Sequence, residues 1–97
     1  MNTYLTPFRW SNYVDVRVLA ANVAEVHNVP SGATRVVFSA NGDFYVRFNA
    51  AAAVPAADVT DGTGSILNPN MRTLDGVTTI GIISAAACNV TMEFYAS

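Results

Sequence analysis

Lysine is missing from this chain, and charge of either sign is scarce: five arginines and seven carboxylates make up 12% of 97 residues. An ordinary soluble domain carries roughly twice that share. The basic groups, Arg9, Arg17, Arg35, Arg47 and Arg72, are scattered, and the formal net charge is −2. There is no stripe of positive charge to grip a phosphate backbone, so nucleic acid is not an expected partner. Without lysine there is also no phosphate-cradling loop of the Gly-Lys type, and Gly62-x-Gly64 lies in a polar connection rather than at a strand-to-helix turn. An exterior short of charge, with arginine as the only fixed cation, matches surfaces that meet other proteins.

Nucleophiles and metal ligands are equally few. The lone cysteine, Cys88, excludes an intramolecular disulfide and is expected to pack as a small hydrophobe. The lone histidine, His27, cannot build the cluster that a cupin-like metal oxygenase needs, and no catalytic motif pairs it with Cys88. No catalytic residue and no cofactor is expected. Asp58 and Asp61, beside Gly62, Thr63 and Gly64, offer oxygens to a hard cation, but EF-hand spacing is absent and Asp-Gly loops are ordinarily turns. The sequence leaves calcium at that loop open. No stretch approaches the ~18 apolar residues of a membrane helix, and residues 1–10 lack the apolar core of a signal peptide. The expectation is a chain without a membrane partner, made in the cytoplasm, that stays soluble or assembles there.

What the chain does have is alternation. Hydrophobic residues make up 52%, but 15 of them are Ala and 13 are Val, so bulk comes from few side chains. A single domain of this length buries only about 60 to 65% of its unfolded surface. Tyr13–Leu19 (YVDVRVL) sets Val14, Val16 and Val18 on one face and Asp15 and Arg17 on the other. This predicts a half-buried strand with the valines inward and the two charges pairing outside. Val23–Val29 is a less regular strand, and Pro30-Ser31-Gly32-Ala33 reverses the chain. Arg35–Ala40 and Asp43–Phe48 flank Asn41-Gly42, whose tolerance of positive φ predicts a β-hairpin, with Phe44, Val46 and Phe48 on one face and Tyr45 and Arg47 on the other. Then come a short strand at Met71–Leu74, a second hairpin turn at Asp75-Gly76, and a β-branched run at Val77–Ser84. Gly81 within that run signals a bulge or a close backbone approach. Cys88–Tyr95 closes the series with Cys88, Val90, Met92 and Phe94 inward.

These strands predict an all-β chain: one domain over 1–97, a small antiparallel β-sandwich, jelly-roll-like, of six to eight strands. Two segments stand apart from it. The N-terminal arm, 1–12, carries Tyr4, Phe8 and Trp10, with Tyr13 just beyond it. The connection 49–70 contains the tract Ala50–Ala53, too hemmed in by Pro, Gly and β-branched residues to hold a helix. Connections that long usually make contacts. Because interface hot spots favour aromatic residues and arginine, the candidate interface residues are Phe8, Trp10, Tyr13, Arg47 and Arg72.

Three stretches, Val29-Pro-Ser-Gly-Ala33, Phe38-Ser-Ala-Asn-Gly-Asp-Phe-Tyr-Val-Arg-Phe48 and Val54-Pro-Ala-Ala-Asp-Val-Thr-Asp-Gly-Thr-Gly-Ser-Ile-Leu-Asn-Pro69, resemble those of small proteins encoded among the virion genes of tailed phages and prophages. The ending Ala86-Ala-Cys-Asn-Val-Thr-Met-Glu-Phe-Tyr95 shares the likeness, which runs from about Val26 to Tyr95 and leaves residues 1–25 outside it. The resemblance implies a non-enzymatic virion structural protein, foremost a capsid decoration or cement protein, assembled into the virion in the host cytoplasm. Its implied partners are the major capsid protein, other virion proteins and further copies of itself, a trimer being one option. The alternative expectation is a carbohydrate- or receptor-binding sandwich of a phage tail or fibre. That reading calls for exposed aromatics around a concave site, with calcium at Asp58 and Asp61.

Overall fold

The structure, a computed structural model, describes residues 13–96. Eight strands run through them: β1 (Tyr13–Leu19), β2 (Glu25–Asn28), β3 (Arg35–Ala40), β4 (Tyr45–Phe48), β5 (Ile66–Leu67), β6 (Met71–Thr73), β7 (Thr79–Ile83) and β8 (Cys88–Tyr95). They form two four-stranded sheets, β1-β8-β3-β6 and β2-β7-β4-β5. Every pairing is antiparallel. The expected all-β sandwich is what the chain forms, with no helix among the described residues. Apart from β4 and β5, consecutive strands always lie in opposite sheets, the path that two Greek keys trace in a jelly roll.

The core follows from alternation along the central strands. On β8 the side chains of Cys88, Val90, Met92 and Phe94 are buried, the parity its sequence predicts. Val36 and Phe38 of β3 lie beside them, and the other sheet contributes Val46, Ile80 and Ile82. The Phe38 ring reaches across the interior, with its centroid 5.9 Å from that of Phe44 and 6.4 Å from that of Phe48. Each such buried side chain contributes about 1.5 to 3 kcal/mol, so this one layer supplies the cohesion that no disulfide provides.

Two turns differ from their sequence reading. Asn41-Gly42 is not a hairpin: β3 and β4 belong to different sheets, and neither residue has a positive φ. Asn41 instead prolongs the pairing of β3 with β8. Its N–H donates to Asn89 O (3.2 Å) and its Oδ1 accepts the Asn89 N–H (2.8 Å). The chain then crosses the sandwich at Gly42, where an added Cβ would stand 3.0 Å from Cys88 Cβ. The glycine answers a close approach rather than a turn geometry. Asp75-Gly76 does form a turn, closed by Val77 N–H to Leu74 O at 3.2 Å with Gly76 at φ +78°, but it leads from β6 in one sheet to β7 in the other. Pro30–Ala33 reverses the chain as expected, with Ala33 N–H donating to Pro30 O at 3.2 Å.

Strand β1 is inverted relative to its expected orientation. Its register with β8 sets Leu19 opposite Cys88, Arg17 opposite Val90 and Asp15 opposite Met92. Asp15 and Arg17 therefore share the core-side face, and Val14, Val16 and Val18 face outward. Leu19, 1% exposed, decides this. Burying the larger leucine at the end of the strand fixes the parity of everything before it. Asp15 and Arg17 do not pair with each other; among the described residues it is Glu25 and His27 whose side chains meet, at 2.9 Å.

The start of the 49–70 connection is laid down on the outside of β7. Asn49, at φ +61°, ties its start to the sheet. Its Oδ1 accepts the N–H of Thr78 (2.8 Å) and of Thr79 (3.2 Å), and its Nδ2 donates to Gly76 O (3.1 Å). The alanine tract then crosses Gly81, where an added Cβ would lie 2.2 Å from Ala50 O and 2.8 Å from Ala52 N. This is the close backbone approach expected at that glycine. Ala53 N–H donates to Ser65 Oγ at 3.0 Å, closing the excursion, and the last part of the connection is β5.

Candidate interaction surface

A sheet edge exposes backbone groups that another strand can satisfy. Among the described residues the edges are β1 and β6 in one sheet and β2 and β5 in the other. At seven residues β1 is the longest of these. Its outward face is apolar, with Val14 47%, Val16 58% and Val18 75% exposed. Across the pairing with β8 these valines adjoin Glu93, Thr91 and Asn89 on the same outer face. Its other face is charged and half-buried at Asp15 and Arg17, and the Arg17 Nε is buried without a hydrogen-bond partner. An exposed valine row and a partnerless guanidinium nitrogen on one edge strand are unfavourable for an isolated domain and suited to a covered one.

The residues singled out from the sequence fall in different places. Tyr13 opens β1, with its ring edge-on to Phe94 at 5.8 Å between centroids and 87° between planes. Arg47 lies on β4 opposite Gly81, on the outer face of the other sheet, and its charge reaches Asp61 in the long connection. Arg72 is exposed on β6, at the far edge of the sheet that β1 borders, and its Nη1 donates to Met71 O at 2.8 Å. Phe8 and Trp10 lie outside the described residues. Tyr13 thus joins the β1 surface, whereas Arg47 and Arg72 do not. The outward valines were missed because alternation names two faces without saying which one is buried.

His27, Glu25, Cys88 and Asp61 have local partners. His27 Nε2 and Glu25 Oε1 are 2.9 Å apart on β2. The Cys88 thiol faces Asp43 O at 3.8 Å. Asp61 Oδ1 accepts the Thr63 hydroxyl at 2.6 Å and the Thr63 N–H at 3.1 Å. Those bonds, hydroxyl first, hold the Asp61 carboxyl below the usual carboxylate range, with Arg47 adding in the same direction. Among the described residues no three or more His, Cys, Asp or Glu side chains come together as a metal site. A hollow of about 380 Å³ opens between residues 38–44 and 68–70. Its polar rim is spent internally, with Asn68 Nδ2 donating to Asp43 Oδ1 at 2.9 Å and Phe44 N–H to Asn68 Oδ1 at 3.0 Å. No protein-family model, no curated protein and no solved structure matches the chain.

Proposed function

We propose that this chain is a non-enzymatic structural protein of a phage virion, a capsid decoration or cement protein that acts through protein–protein contacts and self-association. The observation that carries the reading is the row of outward valines on β1, an edge strand among the described residues. The sparse charge of the chain and the resemblance of its turn and strand segments to small virion proteins support it. A specific protein contact buries roughly 1,200 to 2,000 Å². Repeated around a symmetric shell, contacts of that size hold a particle by avidity without any single tight site.

The test is mass spectrometry of purified particles, with copy number, alongside binding of the purified protein to particles that lack it. Copies at the level of the capsid lattice and saturable binding are the expected outcome. Absence from particles would remove the virion reading. Binding to a glycan array without binding to capsids would favour a receptor-binding module of the tail instead.

A further inference from the structure

The segment Val14-Asp15-Val16-Arg17-Val18 reads the same in both directions except that charge changes sign about Val16. In an antiparallel pair, residues directly opposite share a face, so a strand pairing with its own copy about Val16 sets each Val14 against a Val18 and each Asp15 against an Arg17. We propose that β1 pairs with β1 of a second copy in this register. A two-fold dimer results, in which two four-stranded sheets become one continuous sheet.

Three observations lead there. Strand β1 has no neighbour on its outer edge among the described residues. Its half-buried charges, Asp15 and Arg17, do not pair among the described residues, and the Arg17 Nε is buried without a hydrogen-bond partner. In the proposed register each guanidinium stands beside the other copy's carboxylate, where an arginine fork is best satisfied. The outer face becomes a ladder of facing valines, a favourable cross-strand pair.

The same residues reject the competing registers. A two-fold centred on Asp15 would oppose two aspartates, and one centred on Arg17 would oppose two arginines. A slip of one residue would swing the valines of one copy onto the charged face of the other. Inward charge on an edge strand commonly guards against promiscuous pairing. Here it disfavours the registers nearest to the one proposed. This pairing stands independently of the virion reading, since it depends on β1 alone.

Charge reversal in the full chain tests it, with mass read by sedimentation equilibrium over a dilution series and folding checked by circular dichroism. The wild-type chain is expected at twice 10.3 kDa. Asp15→Arg makes both inner positions basic and Arg17→Asp makes both acidic, so each alone opposes like charges twice. Each is expected to raise the dissociation constant about tenfold or more. An equimolar mixture of the two folded variants should regain a mixed dimer, and Asp15→Arg combined with Arg17→Asp should dimerise like wild type. If a single reversal unfolds the chain, the combined variant decides: a dimer upholds the pairing and a folded monomer overturns it. A wild-type monomer throughout the series, an odd-numbered oligomer, or single reversals that dimerise unchanged would each overturn it as well.

Discussion

Gly81 and Ser84 lie on the same run of chain and are constrained in opposite senses. At Gly81 the backbone of the alanine tract occupies the space a side chain would need, with Ala50 O only 2.2 Å from where a Cβ would sit. Alanine there must push the connection off the sheet, at a cost of about 3 kcal/mol, and the denaturant midpoint should fall accordingly. A variant with an unchanged midpoint would mean that the 50–53 segment lifts freely. Ser84 is fully buried, and its Oγ has no hydrogen-bond partner, although its carbonyl accepts Asn22 N–H at 2.7 Å. Ser84→Ala removes an unsatisfied hydroxyl and leaves that backbone bond in place. It is expected to raise stability by about 1 kcal/mol in the same denaturation experiment. A loss of stability would place a hydrogen-bonded water or a partner group at that hydroxyl.

At the scale of the strand, the orientation of β1 makes a quantitative claim. Leu19 is 1% exposed and Val18, its neighbour, 75%. Leu19→Ala should cost about 2 to 5 kcal/mol, whereas Val18→Ala should cost well under about 1 kcal/mol. Comparable losses at the two positions would mean that the strand packs the other way round. This element also shows where sequence legibility ended. Alternation was enough for β8 and β4, since their two parities differ sharply: Cys88, Val90, Met92 and Phe94 against Asn89, Thr91, Glu93 and Tyr95, and Val46 and Phe48 against Tyr45 and Arg47. On β1 a row of valines competes with a row that ends in leucine, and the outcome depends on the register with a strand some seventy positions further on. The glycine in VTTIGIIS was readable because a β-branched run tolerates such a residue only for a bulge or a close approach. The Asn41-Gly42 pair was misleading for the same kind of reason. Its local preference suits a tight hairpin, but the choice of sheet is made by long-range partners, and Asn89 takes both groups of Asn41. The candidate surface was readable as composition, in the missing lysines and scarce charge, but not as a location.

At the scale of the whole chain, the consequence of the jelly-roll path is kinetic. Only β4 and β5 are consecutive strands within one sheet, and the 49–65 excursion separates even those. Every tight turn instead passes from one sheet to the other, so no hairpin can form early and stand as a local nucleus. The pairing of β1 with β8 joins Tyr13 to Phe94, almost the full length of the described chain. Loop-closure entropy must be met before any of these pairings returns free energy. Refolding from denaturant, followed by the fluorescence of the aromatic residues in stopped flow, is therefore expected to take milliseconds to seconds, as for other sandwiches dominated by non-local pairing. A microsecond phase carrying the full amplitude would show that some local unit folds alone, and would count against the strand order given above. Substitutions at the centre of the interior separate the alternatives further. If assembly of β8 between β1 and β3 is the step that closes the barrier, Met92→Ala should slow refolding, whereas Leu67→Ala on the short β5 edge should leave the refolding rate close to that of the unaltered chain.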